Sequence, residues 1–175
     1  MLVRTETALT YAGARLALDA ALARAAEVGG AFNIAVSDAA GTLLAFARMD
    51  GAFAISGGIA RDKAWTVAGF GGVATDDFYR AISAEDAVRE GIAQRGRVAA
   101  FGGGVPILVD GSLVGAVGAS GGSAEQDKEV ASAGAAAVAR ALAAPASVTD
   151  TSGITDASDA SDARDTTGAQ RKDIA

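Results

Sequence analysis

Residues 105–119, VPILVDGSLVGAVGA, decide the fold of this chain, because two apolar runs flank the pair Asp110-Gly111. An Asp-Gly pair between such runs is typical of a tight turn that joins two antiparallel strands. The pattern therefore predicts strands over 105–109 and 113–119, joined as a β-hairpin.

A second hairpin is predicted nearer the amino terminus of the chain. Residues 32–36 and 43–48 are rich in apolar side chains, and Asp38-Ala39-Ala40-Gly41 between them has the composition of a turn. Two hairpins in one chain predict an antiparallel sheet, because each hairpin needs a partner to bury its apolar face.

Four helices are predicted around the hairpins, from apolar periodicity and from residues that cap helix ends. Thr10 is the expected N-cap of the first helix. Ser56 and Ser83 are expected to cap the next two, and Ser123 with Gln126 forms a capping box that begins the last. The first predicted helix extends from Thr10 to residue 28, and the other three cover residues 57–70, 84–93 and 124–143.

The order of these elements predicts an α+β fold, in which helices flank an antiparallel sheet. We expect one domain over residues 1–145. After Pro145 the composition changes, and residues 156–162 form the polar repeat DASDASD. Residues 146–175 are therefore expected to be a disordered acidic tail, because they offer little apolar surface to offset the entropy of ordering.

Composition excludes several functional classes. The net charge of -6 and the pI of about 4.6 argue against binding to nucleic acid. The sequence contains no Cys and no His, which rules out disulfides and the common thiolate and imidazole metal sites, and no metal site is predicted. No apolar run is long enough for a membrane helix, and no secretory signal is recognisable, so a cytoplasmic protein is expected.

Lys63 and Asp50 are the candidate catalytic residues. Lys63 lies in a largely apolar predicted helix, where burial can lower the pKa of the amine and make it a base. Alternatively, its stem crosses apolar surface while the ammonium reaches water or a carboxylate. Asp50 follows Arg48 at a glycine turn, where the two can bind a polar group or shuttle a proton, or simply form a salt bridge.

Candidate ligand-binding residues come from the same helix and from the two glycine-rich segments, 102–104 and 118–122. Exposed amides before a helix can bind an anion, although close packing also requires glycine. Asp127 is expected only to favour the helix start, as an acidic residue in a first turn does. The candidate ligand-binding residues are Arg48, Ser56, Thr66, Arg97, Gly103, Gly104, Ser120, Gly121 and Gln126.

Three motifs in fixed order carry a family resemblance. They are SDAAG (37–41) leading to RMDGA (48–52), IARDKAWT (59–66), and GGGVPI (102–107) leading to GAVGASGG (115–122) and Gln126-Asp127. This pattern resembles the haem-degrading, GlcG-like domain family, whose members include haem-binding proteins and the C-terminal domain of some corrinoid adenosyltransferases. The resemblance implies a profilin-like or PAS-like sandwich with a ligand pocket, and it implies a homo-oligomer.

The first functional hypothesis follows from this resemblance and is the binding of haem or a related tetrapyrrole. The propionate carboxylates of the haem would bind Arg48, Lys63 or Arg97. Because the chain has no His or Cys, the iron ligand would come from the other side chains that bind haem iron in proteins. Those are Met1, Met49, Tyr11 and Tyr79, with Lys63 as a less common ligand.

Two further hypotheses belong to other classes. One is a cofactor-independent enzyme of a catabolic pathway, an isomerase, tautomerase, lyase or hydrolase, that acts on a small organic acid or cyclic metabolite. Lys63 and Asp50 would be its acid and base. The other is a non-catalytic sensor or assembly protein. All three hypotheses expect a small-molecule ligand or a second copy of the chain as partner, and none expects nucleic acid or a membrane.

Overall fold

A computed structural model of the protein describes residue 2 and residues 6–144. The predicted tail, residues 146–175, lies outside the described residues. Within them, no helix combines the length and apolar character needed to cross a membrane. In chain order the elements are α1 (Tyr11–Val28), β1 (Asn33–Asp38), β2 (Leu43–Arg48), α2 (Ser56–Gly69), α3 (Thr75–Ile82), α4 (Asp86–Ala93), β3 (Gly104–Val109), β4 (Ser112–Ser120) and α5 (Ala124–Ala143).

The four strands form one antiparallel sheet in the order β2-β1-β4-β3, so the two predicted hairpins lie side by side. The second hairpin turns at Asp110 and Gly111, with φ angles of 49° and 75°. Two successive positive φ angles are the geometry that an Asp-Gly pair favours in a tight hairpin. Where the hairpins meet, Asn33 pairs with Ser120. The predicted α+β class with an antiparallel sheet is confirmed.

Helices cover both faces of the sheet. Val117 and Ala119 of β4 pack into the core formed with α1 and α5. Ala116, which points to the opposite face, packs against Ala64 and Val67 of α2. This alternation follows from the two-residue period of a strand, and it places α1 and α5 on one side and α2 on the other.

Small residues allow the helices to lie very close to their neighbours. A Cβ atom at Gly118 of β4 would be 2.0 Å from the carbonyl oxygen of Ala60 in α2. A Cβ atom at Gly134 of α5 would be 2.7 Å from the carbonyl oxygen of Ala17 in α1. Glycine at these two positions therefore sets the spacing of the layers.

Two predicted helix caps are wrong. Ile55 precedes α2, and no side chain caps that end, so Ser56 lies inside the helix. Ser83 ends α3, a helix that the sequence pattern did not indicate, and its hydroxyl donates to the carbonyl oxygen of Arg80. Helix α4 consequently begins at Asp86, two residues later than predicted. The caps of α1 at Thr10 and of α5 at Ser123 are confirmed.

Candidate functional site

A buried ion pair joins α2 to the start of α5. The Nζ atom of Lys63 lies 2.6 Å from Oδ2 of Asp127, and the two side chains are 0% and 5% exposed. The same Nζ atom donates to the carbonyl oxygen of Ala119, near the end of β4, at 2.9 Å. Lys63 therefore connects α2, β4 and α5 at one point.

The first turn of α5 holds Asp127 in position. The capping box is present, because Ser123 Oγ accepts from the Gln126 N–H group and the Gln126 side chain accepts from the Ser123 N–H group. The Oδ1 atom of Asp127 accepts from the N–H groups of Gly121 and Gly122, both at 2.9 Å. Together with Lys63, the carboxylate has three donors, which offset the cost of burying its charge.

The environment of Lys63 lowers the pKa of its amine. Burial lowers the pKa of Lys63 from its usual value of 10.5, and the hydrogen bond and charge of Asp127 oppose this shift without cancelling it. Nζ also lies 4.6 Å from the centroid of the Phe101 ring, within the range of a cation–π contact. Phe101 is 48% exposed, so its ring lies between the ion pair and solvent.

Crowding around the ion pair explains the glycines at 103 and 104. Gly103 has a φ of +117°, and a Cβ atom there would be 2.7 Å from Lys63 Nζ. At Gly104 a Cβ atom would be 2.5 Å from Cγ2 of Thr75, whose hydroxyl accepts from the Gly104 N–H group at 3.0 Å. Both glycines serve close packing, the alternative that the sequence left open.

A pocket of about 340 Å³ opens beside Phe101, and we call it the Phe101 pocket. Two aromatic rings form part of its wall, Tyr79 at 46% and Phe101 at 48% exposure. Its lining residues come from α3 and from the segment before β3, and they are Asp76, Tyr79, Arg80, Ala100, Phe101 and Gly102. The pocket thus combines apolar rings with charged groups next to the buried ion pair.

The charged groups of the Phe101 pocket form a small network. Oδ2 of Asp76 accepts from Lys128 Nζ at 2.6 Å and from Arg80 at 3.2 Å, and Arg80 also pairs with Asp77. Burial, the largest single influence, raises the pKa of Asp76, but the hydrogen bond and charge of Lys128 and the charge of Arg80 outweigh it, so the pKa is lowered. Oδ1 of Asp76 is buried and has no hydrogen-bond partner among the described residues.

Two of the predicted ligand-binding residues, Thr66 and Arg97, lie where the segment before β3 contacts α2. The Thr66 hydroxyl donates to the Asp62 carbonyl oxygen at 2.7 Å and accepts from the Ala99 N–H group at 2.9 Å. The Arg97 guanidinium pairs with the Asp62 carboxylate at 3.1 Å and lies 4.8 Å from the Trp65 ring centroid. Both side chains thus hold the segment before β3 against α2.

The remaining candidates lie around two places, the loop between β2 and α2 and the end of β4. Arg48 Nε donates to a backbone carbonyl of that loop at 3.1 Å, and Asp50 is exposed at its turn. Ser56 is buried in the first turn of α2, and Ser120 is buried as the last residue of β4. The structure therefore distributes the predicted residues over more than one place instead of gathering them around one cavity.

From the sequence, Asp127 was assigned to the helix start, and Phe101 was assigned no role. Lys63 was predicted to work with Asp50, but its amine contacts Asp127, which is 64 positions away in the chain. The capping box beside Asp127 was the available signal, because it fixes where α5 begins and hence where this carboxylate lies. Phe101 follows directly before the glycine segment, but no local pattern assigned it a role.

The fold and these motifs define the class of protein. Residues 9–136 match a family model described as "Haem degrading protein HbpS-like". The chain therefore belongs to the HbpS-like haem-degrading family, which confirms the resemblance seen in the three sequence motifs. The matched range includes the Lys63–Asp127 ion pair and every residue that lines the Phe101 pocket.

Individual relatives agree with this assignment. A 15.0 kDa protein from the dhaT-dhaS intergenic region of Citrobacter freundii is 35% identical over 132 residues, which are 70% of this chain and 87% of that protein. The corrinoid adenosyltransferase PduO of Salmonella typhimurium is 34% identical over 134 residues, which are 73% of this chain but 38% of the enzyme. A crystal structure of a PduOC–haem complex superposes with a TM-score of 0.68 and 33% identity, covering 75% of this chain and 95% of that one.

Proposed function

We propose that this protein binds a planar tetrapyrrole of the haem type in the Phe101 pocket. The lining of the pocket carries the proposal, because two partly exposed aromatic rings stand beside a guanidinium group in one cavity. A concave, largely apolar surface with a few polar groups is the usual form of a small-molecule site. The PduOC–haem complex, which is similar in fold, supports the class of ligand.

The lining residues fit the chemical features of haem. The Phe101 ring offers an apolar face to a flat macrocycle, and Arg80 offers a cation to a carboxylate. With a volume of about 340 Å³ and partly exposed walls, the pocket encloses one side of such a ligand and leaves the rest at the surface. Bound haem would supply a redox-active iron, while the chain binds and orients it.

A haemin titration of the full chain, followed by absorbance in the Soret region, tests this proposal. We expect a saturable change with one haem per chain. Phe101→Ala should weaken binding by roughly tenfold, because an aromatic contact contributes about 0.5–1.5 kcal/mol beyond the area that it buries.

Tyr11→Ala is the matched control, because Tyr11 is an exposed aromatic residue at the start of α1 and does not line the pocket. It should bind haemin as the wild type does. A titration that never saturates would contradict the proposal, and so would equal losses in the two variants when both retain the wild-type circular dichroism spectrum.

A cofactor-independent enzyme is a second candidate, and the lowered pKa of Lys63 favours it. A buried amine of this kind can remove a proton from a substrate, and Asp127 is placed to stabilise the ammonium that forms. Because Phe101 covers the amine, a substrate reaches it only after the ring moves. The substrate would be a small organic acid or cyclic metabolite, changed by isomerisation, elimination or hydrolysis.

Hydrogen exchange at carbon distinguishes the second candidate from the first. Small carboxylic acids incubated with the protein in D₂O should incorporate deuterium, measured by NMR, and Lys63→Met should abolish this exchange without abolishing haemin binding. Asp50→Asn tests whether the exposed carboxylate also takes part. Exchange that persists in Lys63→Met would remove this candidate.

We also propose that the protein is a homo-oligomer that associates through the apolar surface around the loop between β2 and α2. Phe53 and Ile55 of this loop are 71% and 79% exposed, and Phe46 of the edge strand β2 is also exposed. Exposed apolar residues that lie near one another are typical of contact surfaces. Size-exclusion chromatography with light scattering should give a mass above that of one chain, and Ile55→Ser should reduce it.

A further inference from the structure

We infer that Tyr79 is the protein ligand to the iron of bound haem, through its phenolate oxygen. The inference rests on the proposed function and names the coordinating residue of the same pocket. It starts from the composition of the chain, which contains neither His nor Cys. The usual side chains left for haem iron are therefore Met and Tyr.

The alternatives to Tyr79 are placed elsewhere or already engaged. Met49 is half-buried against the core, and its Sδ atom accepts from the Phe32 N–H group at 3.4 Å. Tyr11 begins α1 and is not among the residues that line the Phe101 pocket. Met1 lies outside the described residues.

Lys63 is also engaged, although it lies near the same pocket. Its ammonium donates to the Asp127 carboxylate and to the Ala119 carbonyl oxygen, and it faces the Phe101 ring. Its side chain is fully buried. Coordination by Lys63 would require both hydrogen bonds to break and the ring to move, whereas Tyr79 is already 46% exposed in the pocket wall.

The position of Tyr79 on α3 suits coordination. Asp76, Tyr79 and Arg80 are spaced i, i+3 and i+4, so they share one face of the helix, and all three line the Phe101 pocket. If Tyr79 held the haem iron, its hydroxyl would give up its proton to solvent and its phenolate oxygen would be the donor atom.

Resonance Raman spectroscopy of the full chain loaded with haemin tests the inference. Excitation in the phenolate-to-iron charge-transfer band should enhance phenolate vibrations in the wild type. We expect Tyr79→Phe to lose these vibrations and to bind haemin more than about tenfold less tightly, since disturbing the surroundings of a metal ligand already costs at least that factor. Tyr11→Phe, the matched control, should keep both the vibrations and the affinity.

The variant Tyr79→His tests the same inference through the appearance of a new spectrum. An imidazole at this position should replace the phenolate signature with the absorption and electron paramagnetic resonance spectra of histidine-ligated haem. Because the readout is a new spectrum and not a loss of haemin binding, a small loss of folding stability in the variant does not obscure it.

The outcomes separate this inference from the proposed function. If the wild type binds one haem per chain without phenolate vibrations, or if Tyr79→Phe retains them, Tyr79 is not the ligand and the proposed function stands. If the Tyr79→His spectrum equals that of the wild type, the inference also fails. If no form of the chain binds haemin saturably, both the inference and the proposed function fail.

Discussion

At the scale of single residues, the two partners of the Lys63–Asp127 ion pair are not equivalent. Asp127 accepts from Lys63 and from two backbone N–H groups, whereas Lys63 has one carboxylate and one carbonyl oxygen. Loss of the carboxylate leaves a buried ammonium without its counter-ion and two amides without an acceptor. Loss of the amine leaves the carboxylate with both amide donors, so removing Lys63 should cost less free energy of unfolding than removing Asp127.

We therefore expect Asp127→Ala to lower the free energy of unfolding by about 3–5 kcal/mol, and Lys63→Met to lower it by less. Urea unfolding followed by circular dichroism gives both values. The double variant Lys63→Met/Asp127→Ala should cost less than the sum of the single changes, because it leaves no buried charge unpaired. Strict additivity, or a larger loss for Lys63→Met than for Asp127→Ala, would contradict this account.

Reasoning from the sequence identified Lys63 but not its partner in the ion pair, Asp127. From its apolar neighbours in the helix, burial with a lowered pKa was one of two alternatives for Lys63, and the structure has both features. Asp127 was missed as the partner because an acidic residue in a first turn already has a local explanation. A contact between residues so distant in the chain depends on how α2 and α5 pack around the sheet, which no local pattern contains.

At the scale of elements, the contact of α2 with β4 depends on Gly118. A Cβ atom there would be 2.0 Å from the Ala60 carbonyl oxygen and 2.8 Å from the Ala64 amide nitrogen, so backbone would have to move. We expect Gly118→Ala to lower the free energy of unfolding by at least the roughly 1–3 kcal/mol typical of overpacking, and to lower the melting temperature accordingly. Differential scanning calorimetry measures the change.

Gly58→Ala is the matched control for this prediction. Gly58 lies in α2, the helix that packs against Gly118, and a Cβ atom at Gly58 meets nothing within 4 Å. Alanine is the better helix former by about 0.8–1.0 kcal/mol, so this variant should be unchanged or more stable. A similar loss in both variants would show that the close contact at Gly118 does not control the response to an added methyl group.

The elements that sequence predicted well are those with strong local signals. Helices α1 and α5 begin at side-chain caps, and the second hairpin turns at an Asp-Gly pair, so a few neighbouring residues specify each boundary. Helices α2, α3 and α4 have no side-chain cap. Ser56 and Ser83 were therefore misread as caps, and α3 was missed. Because α3 carries Asp76, Tyr79 and Arg80, the Phe101 pocket could not be predicted either.

At the scale of the whole molecule, the Lys63–Asp127 ion pair links helices on opposite faces of the sheet. Lys63 belongs to α2, Asp127 belongs to α5, and the amine also contacts β4 between them. Global unfolding must expose the amine to water, where it recovers its ordinary pKa. The ionisation of this one group is therefore coupled to the stability of the entire domain.

We expect this coupling to appear between the lowered, folded-state pKa of Lys63 and the ordinary lysine pKa of 10.5. Because burial lowers the pKa of Lys63 in the folded state, the unfolded chain binds more protons than the folded protein in this window, and stability rises with pH there. The free energy of unfolding of the wild type minus that of Lys63→Met should accordingly increase as the pH rises through the folded-state pKa, and level off near pH 10.5. Subtracting the variant removes the titration of tyrosines and surface groups that both proteins share. A difference that falls over this range would mean that Asp127 outweighs burial and raises the pKa of Lys63 instead.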